Sequence, residues 1–354
     1  MKDGDRQRLT CALILFSATG VLSQMKPIEF RWENAKGTVV DPMECIDAPQ
    51  QSYALYLPSS YSPDRRWPVI YAFDPNGQGE RAVEAYKGAE ERYGYIVAAS
   101  NNSRNGPGQT ELAAAEAVWK DTHRRFSIDA YRVYTTGFSG GAKAATYFAL
   151  YCYTCHVAGV IAQGAGYPAL NSSIAPANDH FAYYAVIGED DLNIPDVMAL
   201  RRKKDEQGEQ FKVEVYPGSH QWAPGAVVED AVAWMELKAM QSRVEKVDAE
   251  FVQKMFEQTQ ADAAKGEKAG DVLGQYYALR SVAWDFKGLE EVRSFESELP
   301  RVKASEAWKK ANREEQEQID LQESLTATAS RELAQLAVAE EGAQSGLADR
   351  IAIQ

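Results

Sequence analysis

The sequence predicts an α/β domain, a mostly parallel sheet covered by helices on both faces, followed by a helical C-terminal region. Two observations predict the first part. From Tyr53 to about residue 242, short β-branched and aromatic runs alternate with helical stretches, and the runs are continuously apolar rather than alternating. Strands buried on both faces read this way, and helices between them imply parallel crossovers. A third observation predicts the second part: from Arg243 onward the chain holds one proline, no histidine and no cysteine, and helix-forming Ala, Glu, Gln, Lys and Leu dominate.

Taken in order, YALYLP from Tyr53 and WPVIYAFDP from Trp67 read as strands, ERAVEAYKGAEERYG from Glu80 as a helix, and YIVAAS from Tyr95 as a strand. TELAAAEAVWKDTHRRF from Thr110 is helical, YRVYTTGF from Tyr131 a strand, and GGAKAATYFALYCY from Gly140 a helix. VAGVIAQGAG from Val157 and HFAYYAVIG from His180 are strands, IPDVMALRRKKDEQG from Ile194 a helix, FKVEVYPG from Phe211 a strand, and PGAVVEDAVAWMELKAM from Pro224 a helix. Apolar spacing from Val272 to Leu299 suits an amphipathic helix, a turn at Gly288 and a second helix. This pair weakly resembles one tetratricopeptide unit, with no second copy at a period of about 34 residues. The charged, alanine-rich tail from Lys303 reads as a long helix, a partner-binding segment or a partly disordered one.

The first residues, MKDGDRQRLTCALILFSATGVLSQMK, set Lys2, Arg6 and Arg8 ahead of an apolar run from Leu9 to Leu22. That order fits a secretory signal peptide over residues 1–23, and the run falls short of the ~20 residues a spanning helix needs. A buried N-terminal helix is the alternative. The expected domains are then 1–23 signal peptide, 24–242 α/β domain and 243–354 helical region, in a secreted or periplasmic protein without stable membrane insertion once the signal is removed. Signal cleavage leaves Cys45, Cys152 and Cys155, enough for one internal bridge at most. The C-x-x-C spacing of Cys152 and Cys155 has no second copy, which argues against a zinc ribbon and leaves an oxidised pair or, the favoured reading, two part-buried structural thiols. Acidic residues outnumber basic ones, 51 to 38, for a net charge of -13 over 354 residues. That balance disfavours nucleic acid or an anionic membrane surface as partner.

Chemistry concentrates at YTTGFSGGAKAATY. Gly137-Phe138-Ser139-Gly140-Gly141 fits G-x-S-x-G between a strand and a helix, the pattern of a nucleophile elbow, in which small flanking residues let strand and helix approach a sharply turned serine. A glycine-rich turn with Ser139 as a helix cap is the bland alternative. An acid and a histidine follow in chain order. Asp190 and Asp191 stand in GEDDLNIP after one strand, and His220 stands in GSHQWAP after the next, at strand ends where ligands and catalytic groups gather in open α/β sheets. Of the four histidines only His220 lies downstream of the acid pair.

With these motifs, residues 53 to about 242 resemble the α/β-hydrolase family, particularly its secreted esterase branch related to polyhydroxybutyrate depolymerases, feruloyl and acetylxylan esterases and dienelactone hydrolases. The resemblance implies an α/β-hydrolase fold and a serine esterase with Ser139 as nucleophile, His220 as base and Asp191 as the acid. Asp191 is preferred over Asp190 because the G-x-x-D-x-x-[VI]-P arrangement of the family maps onto Gly188, Asp191, Ile194 and Pro195. The oxyanion hole is expected at the backbone N–H groups of Gly140 and Asn76, since Phe73-Asp74-Pro75-Asn76 stands where many relatives carry His-Gly and Pro75 has no N–H. No metal or organic cofactor is required.

Substrate contacts are less legible. The stretch SNNSRNGPGQ, residues 100–109, is expected to border the pocket with Trp222 and the loop 163–173, which makes Trp222 and Asn102 the candidate substrate-binding residues. Simple turn formation is the alternative for Asn101, Asn102 and Asn105. The expected substrate is a small-molecule or polymer ester, and the lack of a long apolar lid-like insertion between the strands favours a soluble ester over a lipid droplet. Two other readings stand beside it. One is a serine peptidase of the prolyl-peptidase type, though the residues ahead of Tyr53 are too few for a propeller. The other is a non-catalytic scaffold whose C-terminal helices bind a protein partner.

Overall fold

The computed structural model describes residues 30–106, 108–168, 176, 180–208 and 210–352. The expected signal peptide and part of the loop 163–173 lie outside these residues. Two units are distinguished, residues 1–34 and 35–354. In the first, the described part is a short 3-10 turn, Trp32–Asn34.

The second unit is built on a sheet of eight strands in the order β1-β2-β4-β3-β5-β6-β7-β8. These are β1 (Val39–Cys45), β2 (Ala48–Tyr56), β3 (Trp67–Phe73), β4 (Ile96–Ser100), β5 (Ile128–Phe138), β6 (Val157–Gln163), β7 (Ala182–Gly188) and β8 (Phe211–Tyr216). β1 pairs antiparallel with β2 and β2 with β4, and every pair from β4 to β8 is parallel. Every residue of β3, β4 and β7 is buried, as continuous apolar runs with helices on both sides require. β1 is an addition to the strands read from the sequence. Its VVDPMEC run is interrupted by Asp41, Pro42 and Glu44, which an edge strand tolerates, so apolar patterning does not reveal it.

Alternation along β5 shows the two layers. Thr136 faces α1 (Gly79–Tyr93), where it meets the Tyr86 hydroxyl at 2.5 Å. Thr135, one residue back, faces α3 (Gly140–Tyr151) and donates to Ala145 O at 3.1 Å. On the first face α1 packs with α5 (Gly225–Gln241), burying Ala82, Val83, Val228 and Val232. On the second, Tyr71 of β3 bonds Thr122 of α2 (Gly108–Arg125) at 2.7 Å and packs against Phe148 of α3. The connection from β7 to β8 is α4 (Ile194–Gln207).

The C-terminal residues form α6 (Ala249–Ala269), α7 (Val272–Asp285), α8 (Arg293–Ala304) and α9 (Glu306–Ala352). The helix, Gly288 turn and second helix read from the sequence are α7 and α8, with Gly288 at φ 84. Asp248 and Asp271 cap α6 and α7 by accepting first-turn N–H groups. Buried polar ties join these helices to α4 and α5. Asp285 accepts from Trp234 Nε1 at 2.9 Å and from Lys238 Nζ at 3.3 Å, and Arg280 pairs with Asp205 at 2.8 Å. Arg202 of α4 donates to the Asn312 carbonyl of α9 at 2.9 Å. Among the described residues no helix is long and apolar enough to cross a membrane.

Candidate active site

Ser139 stands between the last residue of β5 and the first of α3, at φ 54 and ψ −119. A side chain other than glycine's adopts such a conformation at a cost of about 1–3 kcal/mol, so the surroundings must hold it there. They do so from both sides: Ser139 N–H donates to Gln163 O at 2.8 Å, and Ser139 O accepts from Ala142 N at 3.1 Å. The flanking glycines are a steric necessity. A Cβ on Gly137 would lie 2.2 Å from Gly141 O, and one on Gly141 would lie 1.9 Å from Phe73 O. β5, the start of α3 and the end of β3 therefore meet through bare backbone, and the serine is lifted to the carboxyl edge of the sheet.

The acid follows β7 and the imidazole follows β8. After β7, Asp191 N–H turns back to Gly188 O at 3.1 Å, and the Asp191 carboxylate accepts the Asn193 N–H at 2.8 Å. Asp191 is 3% exposed, whereas Asp190 is exposed and uses its N–H to extend the ladder onto Gly218 O at 2.9 Å. That crossing needs Gly188, where a Cβ would stand 2.4 Å from Gly218 O. The loop after β8 then carries His220 inward. His220 Nδ1 lies 2.8 Å from Asp191 Oδ2, and His220 Nε2 lies 3.0 Å from Ser139 Oγ. The Phe138 ring packs on the imidazole at 4.6 Å between centroids. Burial and the nearby Asp191 carboxylate push the Tyr216 phenol above its ordinary pKa.

The other expected site residues divide. Gly140 opens α3, where first-turn N–H groups have no acceptor within the helix, beside Ser139 as an oxyanion donor requires. Asn76 does not serve as expected: its N–H is donated to Asp74 Oδ1 at 2.8 Å. Asp74 directly follows β3, is 1% exposed, and also accepts from Gln78 N at 3.3 Å and from Trp222 Nε1 at 3.0 Å. Trp222 therefore departs from its expected place at the rim. It is 8% exposed, its indole N–H is committed, and it fastens the histidine loop to the loop after β3. Asn102 departs too, because its carboxamide accepts Ser52 N–H at 2.8 Å and donates to Gln50 O at 3.2 Å, against β2. The asparagine at the site is Asn105, whose Oδ1 lies 1.6 Å from where a Cβ on Gly140 would stand. Sequence reading placed Asp74 and Asn105 only within their loops and did not single them out for the contacts they make, Asp74 with Asn76 and Trp222 and Asn105 with Gly140.

A cavity of about 560 Å³ lies at the opposite ends of the strands, lined by Tyr131, Ala158, Ala182 and Lys238 among others. It takes no part in the Ser139 row.

The strand order, with the serine turn after β5, the buried aspartate after β7 and the histidine after β8, defines an α/β-hydrolase fold. No protein-family model matches the chain, and no curated protein matches it. Among solved structures it is similar to a ferulic acid esterase (16% identity, 56% of this chain and 96% of that one, TM-score 0.46). It is also similar to an S-formylglutathione hydrolase from Staphylococcus aureus (14% identity, 52% of this chain and 90% of that one, TM-score 0.42). A thermostable esterase gives 19% identity over 55% of this chain and 61% of its own, with a TM-score of 0.43. At these values the likenesses assign no substrate, and the functional reading rests on the geometry above.

Proposed function

We propose that this protein is a serine hydrolase that cleaves a carboxylic ester through an acyl-enzyme. The observation that carries the reading is the continuous row from Asp191 Oδ2 through the His220 imidazole to Ser139 Oγ, with both links at hydrogen-bond distance. A serine hydroxyl is a weak nucleophile until a base takes its proton. In this reading His220 Nε2 accepts that proton as Ser139 Oγ bonds to the ester carbon. Asp191 holds the Nδ1–H tautomer and stabilises the imidazolium. The Gly140 N–H donates to the carbonyl oxygen as it becomes negative, and such donors are worth on the order of 10²- to 10³-fold in rate. His220 then returns the proton to the departing alcohol. Water repeats the sequence on the acyl-enzyme, releasing the carboxylic acid and restoring the Ser139 hydroxyl.

Export belongs to the same reading. Residues 1–23 would be its signal, and the Cys152–Cys155 bond, which stands where the sequence favoured two structural thiols, suits an oxidising compartment.

Hydrolysis of p-nitrophenyl acetate by the purified protein, set against peptide p-nitroanilides, tests the proposal. Turnover of the ester is expected, with near-complete loss in Ser139→Ala and in His220→Ala, and a far larger loss in Asp191→Asn than in Asp190→Asn. Cleavage of the anilides alone, or turnover that survives Ser139→Ala, contradicts it.

A further inference from the structure

We propose that the carboxamide of Asn105 is the second oxyanion donor, bonding the substrate's carbonyl oxygen alongside the Gly140 N–H; this rests on the ester-hydrolase reading above. The loop after β3 has little left to give. Pro75 has no N–H, the N–H groups of Asn76 and Gln78 both go to Asp74 Oδ1, at 2.8 and 3.3 Å, and that of Gly77 goes to Asp74 O at 3.1 Å. From Pro75 to Gln78 the backbone donors are thus spent on Asp74 itself.

Asn105 instead brings a side chain against Gly140. In a G-x-S-x-G turn, one oxyanion N–H comes from the loop after the third strand and the other from the backbone of the residue after the serine. Here that residue is Gly140 and has no side chain. The space its Cβ would claim is filled by the Asn105 carboxamide, with Oδ1 1.6 Å and Nδ2 3.3 Å from the Cβ position. Asn105 is exposed, so its carboxamide is open to a bound substrate. Rotation about its terminal side-chain bond turns Nδ2 toward an oxygen held by the Gly140 N–H.

The loop that carries Asn105 is fastened in advance, as a preorganised donor must be. Asn105 N–H donates to Pro75 O at 2.9 Å. Asn101 and Asn102 commit their carboxamides to β1 and β2, at 2.6 Å to Asp41 Oδ1 and 3.2 Å to Gln50 O. Gly77 lets the loops touch, since a Cβ there would stand 2.6 Å from Asn101 O. Three asparagines close in sequence thus divide the work, two as fasteners and one facing the reacting carbonyl.

The test is steady-state hydrolysis of p-nitrophenyl acetate by the full chain, together with inhibition by an aryl trifluoromethyl ketone, whose adduct with serine carries the oxyanion. Asn105→Ala is expected to lower kcat about 10²-fold with KM unchanged, the signature of a donor used only in the transition state. Its affinity for the ketone falls in the same proportion as kcat/KM. Asn105→Asp, equal in size but an acceptor, loses at least as much, and it carries the test should alanine disturb the loop. Wild-type kcat and ketone affinity in both variants overturn the proposal, as does a loss confined to KM or to thermal stability. A wild-type protein that neither turns over the ester nor reacts with a fluorophosphonate would instead sink the hydrolase reading itself.

Discussion

The indole N–H of Trp222 donates to Asp74 Oδ2 at 3.0 Å, across a sequence separation of 148 residues. One buried hydrogen bond thereby fixes the loop carrying His220 against the loop that follows β3. Trp222→Phe keeps a ring near Phe138, which Trp222 meets at 5.8 Å, but removes the donor. A buried acceptor left short of a partner costs about 1–3 kcal/mol, which a urea midpoint will read. Since His220 stands two residues away, kcat is expected to fall about 10- to 100-fold, the effect of shifting a reacting group by roughly 1 Å.

Gly141 makes a second prediction, about the elbow. Its missing Cβ leaves room for Phe73 O, which would otherwise be 1.9 Å away, and the obstacle is backbone that cannot rotate aside. Gly141→Ala is therefore expected to destabilise the protein by about 1–3 kcal/mol, as overpacking does, and to abolish ester turnover by moving Ser139 off the row. Gly225→Ala serves as the control, because a Cβ there meets nothing within 4 Å, and its turnover should match wild type.

Glu90, on α1, is fully buried, and neither carboxylate oxygen has a hydrogen-bond partner among the described residues. Burial pushes its carboxyl from 4.5 up to about 9. The folded state therefore keeps a proton that the unfolded chain releases, and stability falls as pH rises through the window from about 4.5 to 9. This one group contributes a slope of about 1.4 kcal/mol per pH unit. Glu90→Gln removes that slope. Urea titrations at acidic, neutral and alkaline pH should show the variant gaining on wild type as pH rises; a constant difference contradicts the assignment.

Asp285 predicts how firmly the C-terminal helices are held. It receives Trp234 Nε1 and Lys238 Nζ from α5 and the Ser281 hydroxyl from its own helix. Asp285→Ala leaves the buried Lys238 ammonium, already below its ordinary pKa through burial, without its carboxylate partner. Removing one member of a buried pair costs about 3–5 kcal/mol. Differential scanning calorimetry should show a lower Tm in a single transition, because α7 shares this network with α5, which packs on the sheet.

What the sequence made legible was whatever is encoded locally. The serine turn is announced by Gly137, Gly140 and Gly141 around one residue, and the apolar runs of β3, β4 and β7 record burial on both faces. The preference for Asp191 over Asp190 follows a spacing, and the structure buries the first and exposes the second. Non-local facts were hidden. Asn101, Asn102 and Asn105 look alike in a string, and only the packing of their loop against β2 and Pro75 distinguishes them. An exposed tryptophan and a buried one also read the same, and Trp222 is buried because Asp74 waits for its N–H. β1 escaped notice because an edge strand keeps polar residues and a proline.

Activation of the Ser139 hydroxyl by His220 is read by reaction with a fluorophosphonate followed by peptide mass spectrometry. One phosphonylated residue, Ser139, is expected in the wild-type protein, with the label absent from Ser139→Ala and labelling greatly slowed in folded His220→Ala. Folded wild-type protein that stays unlabelled, or a label carried by another residue, would contradict it.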